Sequence, residues 1–533
     1  MKKIDKSEVK KILASRFEKD LHTKLCDLPL PCCLKDIYKA AERIKSAIEK
    51  NEKIAIVGDY DVDGIVSCVI MAEFFDDIGF DYIVRIPNRF KDGYGLNSEI
   101  INELDVDLII TVDNGIAALE AAKLCKEKNI DLIITDHHMP QDILPDAFAI
   151  INPKQKDCEF PDIEICGAQV AWYLIAALKE VCKLKYDMSR FLELLAIAII
   201  ADMMELRDLN RALVRRGIDF INKSKRAAFK AIKNYYQKDK FSLDSIGFLI
   251  APLINSAGRM DDASISYEFL HTKDLNKALE YLEQIVNFNE NRKDEEKQLF
   301  EESLSQINDQ DSCIVVSGIN WHEGVLGIVA SRLSKHFNKP AFVFSQNEDY
   351  LKGSARSVGK IDILSLISKA NSLLSNYGGH KGAAGMSLNA QNFEKFKILI
   401  QQECAKIPDN EFLDTDEILG VLDPNEIDFE MLEILESFEP FGHKNPRPFF
   451  VLENLKVKNK KILGKNEKHL KLVLSKENKV VEALFFNFDK EPSIDENINI
   501  LGSISKNEFR GLLTPQFIIK EILTEEKIRR IDQ

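Results

Sequence analysis

The chain of 533 residues has no apolar run long enough to cross a membrane, which takes about 18 residues, and it has no internal repeat or low-complexity tract. Its ten cysteines contain no Cys-x-x-Cys pair, so the sequence predicts neither a zinc-binding nor a redox motif. The first residues are mostly charged and lack an apolar core, so we expect no signal peptide. Scattered thiols in a chain of this length are typical of a reducing compartment, and we therefore expect a cytoplasmic protein.

An excess of basic charge is also absent. The formal net charge is -14 at pH 7, which argues against a protein that coats nucleic acid without specificity, because such proteins are normally basic. It does not exclude an enzyme whose metal ions and local basic groove contact phosphates. With 45% hydrophobic residues, the chain can form real cores, and its length predicts three or four domains.

Three short acidic segments follow apolar runs. The run Ile54–Val57 is followed by Asp59, Asp61 and Asp63, the run 108–112 by Asp113, and the run 132–135 by Asp136, His137 and His138. Short apolar runs separated by amphipathic stretches indicate buried parallel strands with crossover helices. Such sheets bind ligands at the carboxyl ends of their strands. Because converging carboxylates repel each other unless cations neutralise them, this pattern predicts a divalent metal site.

Helix capping is the alternative explanation for these acids. A single aspartate after a strand is commonly a cap or a turn residue, and that reading stays open for Asp113 taken alone. Caps account for one carboxylate per turn, however, and not for the three within residues 59–63. Adjacent histidines next to an acid are equally hard to explain as core packing.

The patterns along the chain divide it into five segments. Residues 275–310 have apolar residues at helical spacing, dense charge and neither glycine nor proline, which predicts one long, solvated helix. Beyond residue 408, short alternating segments separated by polar turns indicate a small antiparallel barrel. We expect a helical lead-in (1–40), an α/β domain with a helical extension (41–270), the connecting helix (271–310), a second α/β domain (311–408) and the barrel (409–533).

Ten motifs carry a resemblance to a known family. They lie at residues 58–64, 87–96, 112–115, 136–138, 201–202, 255–260, 321–333, 353–357, 378–385 and 442–446. The motifs at 58–64, 112–115, 136–138 and 201–202 resemble the four signatures of the DHH phosphoesterase superfamily. The whole set, in order over about residues 35–530, resembles the RecJ family of single-strand-specific 5′→3′ exonucleases.

The resemblance implies the fold class and the cofactors. The fold would be α/β, with a DHH phosphoesterase domain built on a parallel sheet, a DHH-associated α/β domain joined by the long helix, and a C-terminal all-β OB-fold. Two Mn²⁺ or Mg²⁺ ions would be bound, one by Asp59 and Asp61, the other by Asp63, His137 and Asp202, with Asp113 bridging them. Mixed imidazole and carboxylate ligands suit Mn²⁺ better than Mg²⁺.

The resemblance also implies substrate contacts outside the metal ligands. Arg89, Ser354 and Arg356 would bind the 5′-phosphate and the strand backbone, and His380 would face the metals from the opposite wall. Arg259 and His322 would add backbone contacts, with structural hydrogen bonding as the alternative. His138 would contact the scissile phosphate, with a supporting or core histidine as the alternative.

The tail contains a basic stretch and four phenylalanines. The lysines are Lys456, Lys458, Lys460, Lys461, Lys465 and Lys468, and the phenylalanines are Phe449, Phe450, Phe485 and Phe486. Beside an OB barrel they could form one wall of a single-strand track, with base stacking on the rings. The alternatives are a solvated turn for the lysines and a core position for some of the phenylalanines.

Three functions are compatible with these patterns. The first is an exonuclease that degrades single-stranded DNA from its 5′ end to nucleoside 5′-monophosphates in recombination and repair. The second is a phosphodiesterase for short oligonucleotides or cyclic dinucleotides, against which the third domain argues. The third is an inactive scaffold that binds single strands, although here every metal ligand is present. By resemblance we expect a monomer, with single-stranded DNA, a single-strand-binding protein and a helicase as partners and no membrane contact.

Overall fold

The computed structural model describes residues 1–408, 411–412, 417–464, 467–488, 490–509 and 512–524. One unit comprises Met1–Leu28, Met203–Arg215 and Asp416–Gln533, and the other comprises Pro29–Asp202 and Arg216–Thr415. Strand β1 (Lys3–Ile4) and helix α1 (Lys6–Ser15) open the chain and belong to the first of these. The domain limits expected from the sequence stay a prediction. None of the helices in the described residues is long and apolar enough to span a membrane.

A five-stranded parallel sheet forms the first part of the larger unit. Its strands are β2 (Ile54–Val57), β3 (Tyr82–Arg85), β4 (Leu108–Val112), β5 (Asp131–Thr135) and β6 (Ala149–Ile151). They lie in the order β3-β2-β4-β5-β6, and every neighbouring pair is parallel. The winding direction reverses between β2 and β4, which is where sheets of this topology bind ligands. The strands predicted from the apolar runs are confirmed.

Six helices pack around this sheet: α2 (Ile37–Lys50), α3 (Val62–Ile78), α4 (Ser98–Glu103), α5 (Leu119–Glu127), α6 (Gly167–Val181) and α7 (Leu192–Ala201). Helix α7 is apolar and buried on nearly all sides, which makes it a core element rather than an amphipathic surface helix. Helix α3 is capped by Asp61, whose Oδ1 accepts hydrogen bonds from the backbone of Asp63 at 2.9 Å and Gly64 at 3.2 Å. The capping alternative therefore applies to Asp61.

A helical segment follows: α8 (Asp208–Lys223), α9 (Ala227–Tyr236), α10 (Leu243–Ser245), α11 (Ala251–Met260), α12 (Ser264–His271) and α13 (Leu275–Leu304). Residues Ile246–Ile250, between α10 and α11, form a π-helical turn. The 30-residue helix α13 confirms the predicted long helix. It begins at Asp274, whose side chain accepts a hydrogen bond from the backbone of Asn276 at 2.7 Å.

A second sheet completes the larger unit. Its elements are β7 (Ile314–Ile319), α14 (Leu326–Phe337), β8 (Ala341–Asn347), β9 (Tyr350–Arg356), α15 (Ile363–Ser368), β10 (Asn376–Gly379), β11 (Ala383–Asn389) and α16 (Phe393–Cys404). The strand order is β10-β11-β9-β8-β7, with only β7 and β8 parallel. Buried Phe342 and Phe344 pack edge to face against Phe396 of α16. This is the second α/β domain that the sequence predicts.

The smaller unit is built on a closed barrel. Its elements are β12 (Ile418–Leu422), α17 (Phe429–Phe438), β13 (Phe449–Leu463), β14 (His469–Lys476), β15 (Lys479–Phe486), β16 (Asn497–Phe509) and β17 (Leu512–Leu523). Strands β13, β14, β15, β17 and β16 pair in that order, and β16 closes onto β13. A five-stranded barrel with this closure is an OB-fold, which confirms the predicted tail fold.

The N-terminal segment packs with this barrel. Strand β1 pairs in parallel with β12, where Ile4 lies opposite Leu422. Val9 and Leu13 of α1 are fully buried in the core that also contains Met431 of α17. Residues 1–28, part of the segment expected from the sequence to be a helical lead-in, supply a strand and a helix to the barrel unit.

We predict that Leu13→Ala destabilises the barrel unit, because truncating a fully buried leucine costs about 2–5 kcal/mol. Amide hydrogen exchange in β1, β12 and β13 should accelerate accordingly. Leu21→Ala is the control, since Leu21 is 74% exposed and its truncation should leave exchange unchanged. Unaltered protection of β12 in Leu13→Ala would show that α1 does not stabilise this unit.

Candidate active site

The predicted acidic residues meet at one edge of the parallel sheet. Asp59 follows β2, Asp113 follows β4 and His137 follows β5, and these three strands are neighbours. Asp63 lies in the first turn of α3, and Asp202 follows the last residue of the buried helix α7. The carboxyl ends of adjacent parallel strands and two helix ends thus bring the side chains together.

Asp63 is held by the N-terminus of helix α6. Its Oδ2 accepts a hydrogen bond from Gly167 N at 2.6 Å, and its Oδ1 accepts one from Ala168 N at 2.9 Å. Residue 167 must be glycine, because a Cβ there would lie 2.5 Å from the Asp113 carboxylate. The helix end therefore orients one acid while its glycine leaves space for another.

The side chains form three groups in which ligand atoms lie within 4.8 Å of one another. These groups are Asp59, Asp61 and Asp113; Asp63, His137 and Asp202; and Asp113, His137 and His138. His137 belongs to the last two groups, and its Nε2 atom lies 3.2 Å from Asp113 Oδ1, 3.5 Å from Asp202 Oδ2 and 3.7 Å from Asp63 Oδ2. The first two groups coincide with the two ligand sets predicted from the resemblance.

Several buried atoms of this cluster lack a hydrogen-bond partner in the described part of the chain. Among them are Asp59 Oδ1, Asp113 Oδ1, His137 Nε2 and Asp202 Oδ2. Buried polar atoms are normally paired, so four such atoms at one place need a ligand. Carboxylate oxygens and an imidazole nitrogen suit a divalent cation, and the residues present fit two Mn²⁺ or Mg²⁺ ions.

The electrostatics of the cluster lead to the same conclusion. Burial, and then the charges of neighbouring aspartates, raise the pKa of Asp59, Asp113 and Asp202 well above the usual range. Burial, and then Asp61, raise the pKa of Asp63 to about 6, and burial lowers the pKa of His137 to about 3. The protein alone therefore disfavours the charged carboxylates, which a bound cation would stabilise.

Asp113 also adopts an unusual backbone conformation. Its φ angle is +62°, in the left-handed region that residues other than glycine, asparagine and aspartate rarely adopt. Its amide donates to Thr135 O of β5 at 3.0 Å, and its carbonyl accepts from the Tyr94 hydroxyl at 3.3 Å. Aspartate tolerates this conformation, and here the Asp113 carboxylate lies next to His137.

Asp136 positions His138. Its Oδ1 lies 2.7 Å from His138 Nδ1, and its Oδ2 accepts a hydrogen bond from Ile116 N at 2.9 Å. Burial alone would lower the pKa of His138, but the hydrogen bond and charge of Asp136 raise it to about 9. The side chain of His138 is 38% exposed whereas Asp136 is buried, so the ring is fixed from inside and open on the outer side.

Three arginines gather near the acidic cluster. Arg259 Nη1 donates to Gly324 O at 3.1 Å, and the Arg356 guanidinium donates to Ser354 Oγ at 3.0 Å. Burial, and then the charges of Arg89, Arg292 and Arg356, lower the pKa of Arg259 to about 10. Within the described residues, no carboxylate lies within 4.0 Å of Arg89, Arg259 or Arg356. Clustered arginines without an acidic partner are typical of an anion site.

Backbone packing supports this arginine cluster. Gly327, in the first turn of α14, lies against Arg356, since a Cβ there would be 2.7 Å from its Nη2 atom and 3.1 Å from Ser354 Oγ. Arg89 stacks over the ring of Tyr60 at 4.8 Å. Arg89, beyond the end of β3, and Arg356, at the end of β9, thus belong to one arginine cluster.

The two remaining predicted histidines lie differently. His322 Nδ1 accepts a hydrogen bond from Gly324 N at 3.2 Å, and its ring packs edge to face against Phe90 at 5.4 Å. His380 is exposed in the turn between β10 and β11, where its amide donates to Ala383 O at 2.8 Å. The side chain of His380 contacts no metal-ligand candidate in the described part of the structure, so its predicted place opposite the metals stays a prediction.

The proposal that bases of a single strand stack on the four phenylalanines of the tail is wrong for two of them. Phe450 and Phe485 are core residues and cannot stack on bases, and Phe449 lies under Lys520. Phe486 is 51% exposed and packs against the His469 ring.

Ion pairs neutralise part of the positive charge of the basic stretch at residues 456–468. Lys456 pairs with Asp495 at 2.9 Å and Lys460 with Glu491 at 2.6 Å. Lys458, Lys461 and Lys468 form no ion pair with a described residue, and Lys465 lies outside the described residues. The free positive charge of this face is therefore smaller than the sequence indicates.

Comparisons with known proteins agree with this architecture. The DHH family N-terminal domain matches residues 53–199, the DHHA1 domain residues 310–406 and the RecJ OB domain residues 419–521. The single-stranded-DNA-specific exonuclease RecJ of Haemophilus influenzae is 32% identical over 542 residues, which cover 95% of this chain and 93% of that protein. The chain belongs to the RecJ family.

Other RecJ proteins match over different shares of their length. The Bacillus subtilis RecJ is 34% identical over 520 residues, and the chain spans 66% of that relative's length. The crystal structure of Thermus thermophilus RecJ in complex with Mn²⁺ superposes with a TM-score of 0.84 at 27% identity, covering 97% of this chain and 76% of that one. The Mg²⁺ complex of the same protein gives 0.78 at 25% identity.

Sequence reasoning missed three contributors to this RecJ-family site. Asp136 was part of a recognised motif but was given no role, although its place directly before two histidines is a usable signal. The backbone amides of α6 and the hydroxyl of Tyr94 could not be found, because backbone donors and distant contacts leave no local pattern.

We predict that Asp113→Asn folds and, in a chelator, melts at or above the wild-type temperature, since it removes one repelling charge and asparagine tolerates a positive φ. Saturating Mn²⁺ should raise the melting temperature of the wild type, because a ligand at 100 times its Kd contributes about 2.7 kcal/mol. The increase should be much smaller in the variant.

Asp105→Asn is the matched control, because Asp105 is 96% exposed and lies outside the cluster. It should keep the wild-type response to Mn²⁺. A full Mn²⁺ response in Asp113→Asn would contradict a role of Asp113 in metal binding.

Proposed function

We propose that this chain is a metal-dependent exonuclease that hydrolyses single-stranded DNA from its 5′ end to nucleoside 5′-monophosphates, in recombination and repair. The observation that carries the proposal is the pairing of two features in one unit. Four buried atoms without hydrogen-bond partners meet at the edge of the parallel sheet. An arginine cluster without an acidic partner lies beside them. The names of the RecJ relatives supply the substrate.

The residues of the cluster have distinct proposed roles. Asp59, Asp61 and Asp113 would hold one ion, and Asp63, His137 and Asp202 the other, in agreement with the distances between their ligand atoms. Asp113 would contribute to both ions, since its Oδ1 lies 3.2 Å from His137 Nε2 and its carboxylate also belongs to the first group. When bound, two such ions activate water and stabilise the charge that develops on a transferring phosphoryl group.

The other side chains orient the strand. Arg89 and Arg356, with Ser354, would bind the 5′-phosphate, and Arg259 would contact the next backbone phosphate, because charge-assisted hydrogen bonds from arginine fix phosphate geometry. His138 would contact the scissile phosphate, since Asp136 fixes its ring and leaves Nε2 for the substrate. By family resemblance, His322 would contact the strand backbone and His380 would face the metals from the opposite wall.

The barrel would also bind single-stranded DNA. OB-folds bind single strands by stacking and by backbone contacts, and Phe486 with the unpaired lysines of this face is the candidate surface. We also propose a monomer in the cytoplasm, where all ten free thiols would stay reduced, with a single-strand-binding protein and a helicase as partners.

A direct test is hydrolysis by the full chain with Mn²⁺, using a 5′-phosphorylated single strand and a cyclic dinucleotide as competing substrates. The proposal predicts release of mononucleotides from the strand and little hydrolysis of the cyclic dinucleotide. Preference for the cyclic dinucleotide would favour the phosphodiesterase alternative. Binding of the strand without hydrolysis of either substrate would favour the inactive scaffold.

We predict that Arg356→Ala weakens the preference for 5′-phosphorylated over 5′-hydroxyl strands. The loss of one charge-assisted contact costs about 1.5–3 kcal/mol, which corresponds to roughly ten- to a hundredfold in kcat/KM. Lys335→Ala, on the exposed face of α14, is the control and should retain the preference. If Arg356→Ala also retains it, the phosphate pocket lies elsewhere.

A further inference from the structure

Phe248 is the most exposed large apolar side chain in the described part of the structure. It is 83% exposed, although burial of a phenylalanine is favourable by about 1.5–3 kcal/mol. Single exposed apolar residues are common and need no explanation by themselves. Two further features set this one apart: the backbone that carries it and the residues aligned with it.

The backbone at Phe248 is a π-helical turn. The amide of Ala251 donates to Ile246 O, which inserts one extra residue into the helix that runs from α10 to α11. Ile246 and Ile250 at the two ends of the turn are fully buried, so the extra residue is accommodated by the outward bulge that carries Phe248. Such turns are uncommon and are frequent at functional sites.

The exposed face of this helix leads to the arginine cluster. Phe248, Pro252, Asn255 and Arg259 are spaced at helical intervals and are at least partly exposed, whereas residues 253, 254 and 256–258 are buried. From Phe248 to Arg259 the helical rise is roughly 15 Å. Phe248 and Arg259 therefore lie on the same side of this helix, with the ring largely open to solvent and the arginine partly so.

The same helix flanks the metal-ligand cluster. Gly247 packs near Ile200, which lies two residues before Asp202. A Cβ added at Gly247 would be 3.6 Å from Ile200 Cγ2. At the other end, Gly258 packs directly on the carbonyl of Tyr60, next to Asp61. The helix that carries Phe248 thus packs against the segments that hold Asp61 and Asp202.

We propose that Phe248 is a stacking platform for a nucleobase of the strand, a few nucleotides to the 3′ side of the scissile phosphate. This rests on the proposed function. A strand whose phosphate contacts Arg259 continues along the open helix face, and an extended chain of a few nucleotides reaches the ring. Because every base has a π-face, the contact holds the strand without selecting its sequence. Phe248 is a substrate-binding residue, with no part in the hydrolytic step.

The test compares Phe248→Ala, Phe248→Leu and Phe248→Trp in the full chain on 5′-phosphorylated strands of two and ten nucleotides. Loss of one stacked base corresponds to roughly five- to a hundredfold in affinity. The ratio of KM for the long strand to KM for the short one should rise by that factor in Phe248→Ala and Phe248→Leu, and stay near the wild-type ratio in Phe248→Trp. Tyr235→Ala, which removes another half-exposed aromatic ring of this helical segment, should not change it.

Two readouts separate this proposal from the proposed function. Strand binding measured by fluorescence anisotropy in a chelator needs no turnover, and the new tryptophan of Phe248→Trp should be quenched by the long strand. When one abasic nucleotide is placed at successive positions of the strand, a single position should weaken binding to the wild type but not to Phe248→Ala.

An unchanged KM ratio in Phe248→Ala, with the wild type active, would overturn the platform alone. A wild type that neither binds nor hydrolyses strands would overturn both proposals.

Discussion

The mutual repulsion of buried carboxylates is the constraint on which this structure depends. Asp59, Asp63 and Asp113 are almost fully buried at one sheet edge, and burial together with neighbouring aspartates raises the cost of charging each of them. A fold that retains such an arrangement without a cation sacrifices stability, since no hydrogen bond compensates several of the buried oxygens. Binding of cations therefore explains why the carboxylates are clustered. The surrounding helices and strands hold these carboxylates in place.

The surrounding elements position the acids through backbone hydrogen bonds and backbone conformation as well as through side chains. The N-terminus of α6 fixes Asp63, Asp113 has a left-handed backbone and lies next to His137, and Asp136 fixes His138. The arginine cluster lies near these acids, without forming ion pairs with them in the described residues. A bound phosphate would therefore contact both the arginines and the metal ions. Rigid positioning of this kind lets metal ions and arginines act on one phosphodiester without a large rearrangement.

The sequence predicted the fold and the candidate cluster well, because both depend on local patterns. Apolar runs gave β2, β4 and β5, and the acids after them follow from the geometry of parallel strands. Long-range contacts were not predictable: the pairing of β1 with β12 joins residues more than 400 positions apart. The adjacent phenylalanines 449–450 and 485–486 of the barrel show that the sequence alone does not decide which of two neighbours is buried. Neighbours in a strand face opposite sides, so one of each pair must be inside, but only the register decides which.

We expect this cluster to bind two divalent ions through Asp59 after β2, Asp61 and Asp63 at the start of α3, Asp113 after β4, His137 after β5 and Asp202 after α7. Crystals grown with Mn²⁺ and measured at the manganese absorption edge would locate the ions directly by anomalous scattering. The account predicts two peaks, one among Asp59, Asp61 and Asp113 and one among Asp63, His137 and Asp202, with Asp113 touching both. A single peak, or peaks away from these oxygens, would contradict it.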